Sequence, residues 1–444
     1  MLNFLFSHSP LFYLLQSFWR DEAFSVLFVQ LPFSSIFTKS LMEPPVYYTL
    51  LYFWVRVFGQ GEIAVRSLSL LGFILLMVVW ILWSEKLFPR HFLSWGAPLL
   101  MLVNPMLLYY ACEVRAYSWY AFFAILSFYA YDTKRWKLYR IAIILGLYTH
   151  LYFIFIPFAQ GLHFFITEKK SLVGKSFQTF KKNPMIISLV LFGIAFLPWA
   201  VKYLHSLSVH KESWYYPVDL RQILAALGNI YLGYEGTPWY LWFGTILFSF
   251  ILFRAFLFAR EKAENKRTAH HMFILITIPL AVILGISLVK PFFVNRYFIF
   301  IAIAQTVLLS QAIRAVPKVS VQKIFFLSIV ACLLFFNIWY PDKHPKNDIR
   351  KTMTEVNMLA SADDFIYVVN PINFLETLYY AEDRNQVKWY NPSGALFPWY
   401  VGGAVFKSSY NTKDIPVYPA KAFMIEKDGT WAVTSKLPNT KKVL

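Results

Sequence analysis

Residues 61–117 read GEIAVRSLSLLGFILLMVVWILWSEKLFPRHFLSWGAPLLMLVNPMLLYYACEVRAY. Two apolar runs, 63–83 and 92–111, flank a short segment holding Lys86 and Arg90, and a tight polar turn with Glu113 and Arg115 follows. Each run has the roughly 20 residues that a helix needs to cross the hydrocarbon core. The same alternation continues along the chain. Further windows fall at 184–204, 238–258, 272–289, 296–313 and 324–340, with a shorter one at 116–131. The stretch 138–167 is too long for one crossing, and His150, in Tyr148-Thr149-His150-Leu151-Tyr152, is the expected break. That reading gives ten crossings from residue 63 onward. The first 18 residues form a candidate eleventh, without the basic start of a secretory signal.

The composition agrees. Of 444 residues, 58% are hydrophobic and only 15% charged, with a mean hydropathy of +0.49. A soluble domain carries about 25% charge, so this chain cannot cover itself with a water-compatible surface. The net charge of +18 would point to nucleic acid if it were spread over one face. It is not. Segments 84–91, 132–140, 168–182, 259–271 and 314–323 hold 18 Lys and Arg against five acids. Basic loops of this kind stay on the cytoplasmic side, so the charge reports orientation in the plasma membrane and no nucleic-acid partner. Two cysteines, Cys112 and Cys332, exclude a disulfide scaffold and a Cys-rich metal site.

Residues 46–59 are apolar, but the run is 14 residues long and contains Arg56. A run of that length lies along the interface more readily than it crosses. Residues 20–62 are therefore expected to form one external loop carrying interfacial helices. From 346 onward the pattern changes. Met353, Val356 and Leu359 have helical spacing, and Phe365-Ile366-Tyr367-Val368-Val369 reads as a strand. A second helix is expected after Pro371 with Asn370 as cap, and further strands at 388–390, 421–426 and 430–434. The expected architecture is thus an all-α polytopic membrane domain over 1–340 and a small extracytoplasmic α/β domain over 341–444.

The acids outside the basic loops and the tail are Asp21, Glu22, Glu43, Glu62, Glu113, Glu212, Asp219 and Glu235. All fall in external loops or at the external ends of spans. Ion-coupled transporters place ionisable groups near the bilayer midplane, and no carboxylate stands there. Four motifs gather on that outer side. In Trp19-Arg20-Asp21-Glu22-Ala23 a carboxylate can serve as a general base or simply cap a helix. Glu43-Pro44-Pro45-Val46-Tyr47-Tyr48 is an ordinary helix start with a carboxylate suited to the helix dipole. In the run Tyr109–Tyr117, Arg115 either pairs with Glu113 or offers its guanidinium fork to a phosphate. In Lys290–Tyr297, the cations Lys290 and Arg296 lie at a helix end. His150 and Arg66 complete the set, each readable as a buried structural group or as part of a site.

Taken in order, WRDEA, EPPVYY about twenty residues on, FGQGEIAVRSLS, NPMLLYYACEVRAY, YTHLY, FLPW and PFFVNRY resemble the polyprenyl- and dolichyl-phosphate-dependent glycosyltransferases. The resemblance is nearest to the bacterial and archaeal relatives of protein O-mannosyltransferases, glycosyltransferase family 39, which have the GT-C fold. It covers roughly residues 15 to 340 and is strongest over 15–155. It implies transfer of a hexose or pentose from a polyprenyl-phosphate donor to an acceptor, protein, lipid or polysaccharide, outside the cytoplasm. It also implies roles: Asp21 and Glu22 match the catalytic pair, with Asp21 as base in an inverting attack. Arg115 and Arg296 match positions near the donor phosphate. Glu43, Tyr47, Tyr48, Arg66, Glu113, Tyr117, His150 and Tyr297 fall among the substrate-binding positions. The chain departs from its relatives before the Pro pair, where Met42-Glu43 stands in place of an acid followed by His or Lys, and at Cys112, often Gln. A divalent metal near Asp21 is compatible with these residues and required by none of them. The competing readings are a polytopic transporter or lipid flippase and a non-catalytic membrane scaffold.

Overall fold

A computed structural model of the chain describes residues 12–39, 43–172, 182–209, 217–232, 241–341 and 346–438. The start of the N-terminal apolar run, Met42, Glu212 and Glu235 lie outside the described residues. The chain divides into two compact units, one built on residues 43–47 and 66–341, the other on 12–39, 48–65 and the described part of 342–444.

The first unit is helical, and the protein is a multi-pass membrane protein. Among the described residues six helices are long and apolar enough to cross a bilayer: Glu62–Leu87, Pro184–Leu204, Trp242–Lys262, Lys266–Ser287, Asn295–Arg314 and Val319–Trp339. Of these, Asn295–Arg314 is 94% buried within the protein, whereas Pro184–Leu204 and Val319–Trp339 are 22% buried. The first is therefore the central helix, and the other two leave most of their apolar surface for lipid. Small residues let backbones approach where no hydrophobic drive exists between helices in lipid. At Gly228, on the Leu220–Leu232 helix, a Cβ would meet the Thr245 carbonyl at 2.4 Å, and its N–H donates to Ser249 Oγ at 2.8 Å. At one end of the bundle Asp132 accepts from Trp83 Nε1 at 3.1 Å and from Thr268 Oγ1 at 2.8 Å, tying three helices.

Two local features differ from the sequence reading. The window 92–111 is not one helix. It stops at Leu102 and restarts as Pro105–Ala111, because Asn104 Oδ1 accepts from Leu107 N at 3.1 Å and Pro105 sits at the first helical position. The helix Leu220–Leu232 was not expected, since alternating exposed Leu220 and Leu224 with buried Ala225 and Gly228 gives it no continuous apolar run. The break at His150 falls where the sequence puts it, between Trp136–Leu147 and Phe155–Leu172.

The second unit carries a five-stranded sheet: β1 Phe365–Val368, β2 Val387–Tyr390, β3 Asn411–Thr412, β4 Ala422–Ile425 and β5 Trp431–Thr434. Their order is β3-β2-β1-β4-β5, with β1 parallel to both neighbours and β5 antiparallel to β4. β1 is central and reads as an unbroken β-branched and aromatic run, as a strand covered on both faces does. Asn370 caps the turn after it, accepting from Ile372 N at 3.0 Å, and the chain continues into the Phe374–Tyr380 helix. The same unit includes the Arg20–Phe28 helix and most of Pro45–Phe58. Phe18 N–H donates to the Tyr380 hydroxyl at 2.7 Å, and Ser17 Oγ donates to the Asn347 carbonyl at 2.9 Å. Residues more than three hundred positions apart thus share one fold.

Candidate active site

In the helical unit, eight of the singled-out residues come together: Glu43, Tyr47, Glu113, Arg115, Tyr117, His150, Arg296 and Tyr297. Residues 112–116 make a tight turn between the Pro105–Ala111 and Tyr117–Asp132 helices. It is closed by Arg115 N–H on the Glu113 carbonyl at 2.8 Å and Ser118 Oγ on the Tyr110 carbonyl at 2.8 Å. Arg115 Nη2 forms an ion pair of 2.6 Å with Glu43 Oε1, a partner 72 residues away that the spacing of the turn does not suggest. Residues 43–47 are held against the same cluster by Val46 N–H on the Tyr148 carbonyl at 2.9 Å, and Tyr47 OH lies 3.5 Å from Ser69 Oγ.

His150 stands at the centre, in the turn outside both flanking helices. Its ring stacks on Tyr120 at 4.6 Å and 7°, and lies 5.1 Å from Tyr297 and 5.7 Å from Tyr117. Nδ1 accepts from Tyr152 N at 3.2 Å, which fixes the ring. Burial, aided by the charges of Arg115 and Arg296, pushes its pKa down to about 3, so the imidazole is neutral at physiological pH. Arg296 is buried in the short 3-10 turn Asn295–Phe298, and its guanidinium lies 5.7 Å from the Tyr297 ring. Two cations, a neutral imidazole and an aromatic wall suit an anionic group attached to a ring or chain. Arg66 is fully buried on the Glu62–Leu87 helix. Tyr110, Tyr120 and Tyr152 belong to this wall and were missed in the sequence. Tyr120 had a signal, since it is one helical turn from Tyr117.

Asp21, Glu22 and Tyr48 belong to the second unit. Glu22 is fully buried, accepting from Trp19 N at 3.4 Å and from Lys346 Nζ at 3.2 Å. It caps its own helix and anchors it to the C-terminal domain. Asp21 is partly exposed, and its Oδ1 accepts from Arg20 Nε at 3.1 Å. Ser25 Oγ donates to the Asp21 carbonyl at 2.8 Å. Tyr48 packs edge-on to Phe28 at 5.2 Å and Phe24 at 6.4 Å. Among the described residues no three His, Cys, Asp or Glu side chains gather as metal ligands.

The sequence matches no family model and no curated protein. Solved structures match the fold, among them two of one protein. ArnT from Cupriavidus metallidurans in the apo state aligns over 92% of this chain and 88% of its own, with a TM-score of 0.57 and 12% identity. The same protein bound to undecaprenyl phosphate aligns over 95% and 91%, with a TM-score of 0.56 and 12% identity. This chain has the GT-C fold. At that identity the likeness is one of backbone architecture, and the chemistry has to be argued from the residues.

Proposed function

We propose that the protein is a membrane glycosyltransferase, of the family 39 mannosyltransferase-like kind, that moves a sugar from a polyprenyl-phosphate donor to an acceptor outside the cytoplasm. The observation that carries this reading is the convergence of Arg115 and Arg296 on the His150, Tyr117 and Tyr297 wall. It occurs in a chain whose fold is also that of a protein solved with undecaprenyl phosphate. The basic loops support an extracytoplasmic site.

In this reaction Asp21 takes the acceptor hydroxyl proton while the acceptor oxygen bonds to the anomeric carbon from the face opposite the phosphate. The bond from that carbon to the phosphate oxygen breaks, and polyprenyl phosphate leaves with the electron pair. Arg115 and Arg296 stabilise the charge gathering on it. A guanidinium has five donors, so Arg115 can take a phosphate without surrendering Glu43. Neutral His150 adds a donor and no repelling charge. Glu22 keeps the helix start in place, and Tyr47 and Tyr117 stand on the sugar or lipid side of the Arg115 cluster.

The test is turnover of a panel of polyprenyl-phosphate sugars by the purified protein. Asp21→Asn is expected to abolish transfer while insertion and folding persist. A near wild-type rate would remove Asp21 as the base. Arg115→Ala is expected to weaken donor use, and an unchanged donor dependence would remove Arg115 from phosphate binding.

A further inference from the structure

The Phe374–Tyr380 helix packs against the Arg20–Phe28 helix. Its third residue, Glu376, is 6% exposed, and Oε2 has no hydrogen-bond partner among the described residues. The two helices meet closely enough that a Cβ on Gly402, in the adjoining Trp399–Gly402 turn, would fall 2.6 Å from Leu375 Cδ1 and 2.9 Å from Phe24 Cδ2. A buried carboxyl is costly when charged, and this one adjoins an ion pair, Arg20 with Asp21. None of the roles above uses it.

We propose that Glu376 is a positioning residue for the Asp21 carboxylate: a neutral acid supplied by the C-terminal domain, which leaves the Arg20 guanidinium to Asp21. The inference rests on the reading of Asp21 as the base. Burial raises the Glu376 carboxyl to about 8 despite hydrogen bonds from its own N–H and that of Arg20 and the attraction of the Arg20 charge, and the Asp21 charge adds to the rise. Below that pH the Arg20 charge is unshared. Above it, a second anion competes for Arg20 and loosens the Arg20 hold on Asp21 Oδ1. Other charged groups on the neighbouring elements are engaged or exposed. Arg350 pairs with Glu62, Glu355 accepts from the Trp431 indole, Lys388 donates to the Ser409 carbonyl, and Lys351 is exposed. Residues Trp399–Gly402 carry no charge.

Glu376→Gln keeps the shape and the neutral state while removing the titration. Two readouts apply, the protonated-carboxyl C=O stretch in pH-difference infrared spectra, and release of polyprenyl phosphate from polyprenyl-phosphate mannose against pH. In the wild-type protein the infrared band is expected to vanish with a midpoint near 8, and the rate to fall over the same range. In Glu376→Gln the band is expected to be absent, the rate at pH 7 to stay within about threefold, and the alkaline fall to move up by at least about one pH unit. Superimposable wild-type and variant profiles, or a band that is already gone at pH 6, would overturn the proposal. So would an inactive or unfolded Glu376→Gln, since an amide replaces a neutral acid without changing charge. Failure of the underlying reading shows differently, as a wild-type rate in Asp21→Asn.

Discussion

Gly402 gives the sharpest test of how the helix bearing Asp21 is seated. Its φ is +133°, a region where an L side chain is strained, and a Cβ there would meet Leu375 at 2.6 Å and Phe24 at 2.9 Å. Backbone strain of this kind costs about 1–3 kcal/mol. Overpacking a tight contact costs about 1–3 kcal/mol more. Gly402→Ala is therefore expected to weaken the local fold by about 2–6 kcal/mol, at least about thirtyfold in the opening equilibrium. Hydrogen exchange of the 374–380 and 399–403 amides, read by mass spectrometry on the whole protein, measures that opening. Two further glycines separate the causes. Gly59 has φ +85° and nothing within 4 Å, so Gly59→Ala reports strain alone. Gly403 has no positive φ, and its Cβ would meet only the Trp399 Cα and carbonyl, each at 3.7 Å, so Gly403→Ala is expected to be neutral. Exchange in Gly402→Ala no faster than in Gly403→Ala would refute the packing argument.

Two other substitutions follow from the same kind of geometry. Asp364 accepts from Ser361 N at 2.9 Å, Ser361 Oγ at 2.8 Å and Lys421 N at 2.8 Å. Burial works to raise its pKa, but these bonds outweigh it and hold the carboxyl below its usual value. The stability this contributes is present above the ordinary carboxylate pKa and is lost as pH falls through the lowered one. Asp364→Asn is expected to cost about 1–3 kcal/mol at pH 7 and to flatten the loss of domain stability below pH 4, both checked by thermal melts against pH. In the membrane unit a Cβ on Gly146 would lie 2.1–2.5 Å from the Phe153 ring, whereas one on Gly193 meets nothing within 4 Å. Gly146→Ala is expected to lower the melting temperature in detergent by the equivalent of about 1–3 kcal/mol, and Gly193→Ala to leave it in place; equal melting of the two would refute the contact.

Much of the membrane unit was readable because lipid imposes length and hydropathy on every span, and the His150 break showed as a stretch too long to cross once. The sheet was readable too, where strands such as 365–369 are short apolar runs bounded by turn residues. The two-residue β3 carries no such pattern, and the Leu220–Leu232 helix hides because its buried face is made of Ala and Gly. At the site, residue types were visible and pairings were not. Nothing local to Arg115 names Glu43 over Glu113, because that choice is made by how residues 43–47 fold back on the turn. Nothing in the sequence around Glu376 sets it apart from the other acids of the tail. Its neighbours are set by docking across more than three hundred residues, and no periodicity records that.

The joining of residues 12–39 to 346–438 in one unit also has a meaning for biogenesis. The Arg20–Phe28 helix leaves the ribosome before the membrane helices, and the strands and helix that seat it leave after them. A nascent chain with every membrane helix inserted still lacks the Lys346 anchor, the Tyr380 hydroxyl and the Gly402 turn. Synthesis interrupted before residues 346–438, or proteolysis that removes them, therefore leaves the Arg20–Phe28 helix unseated.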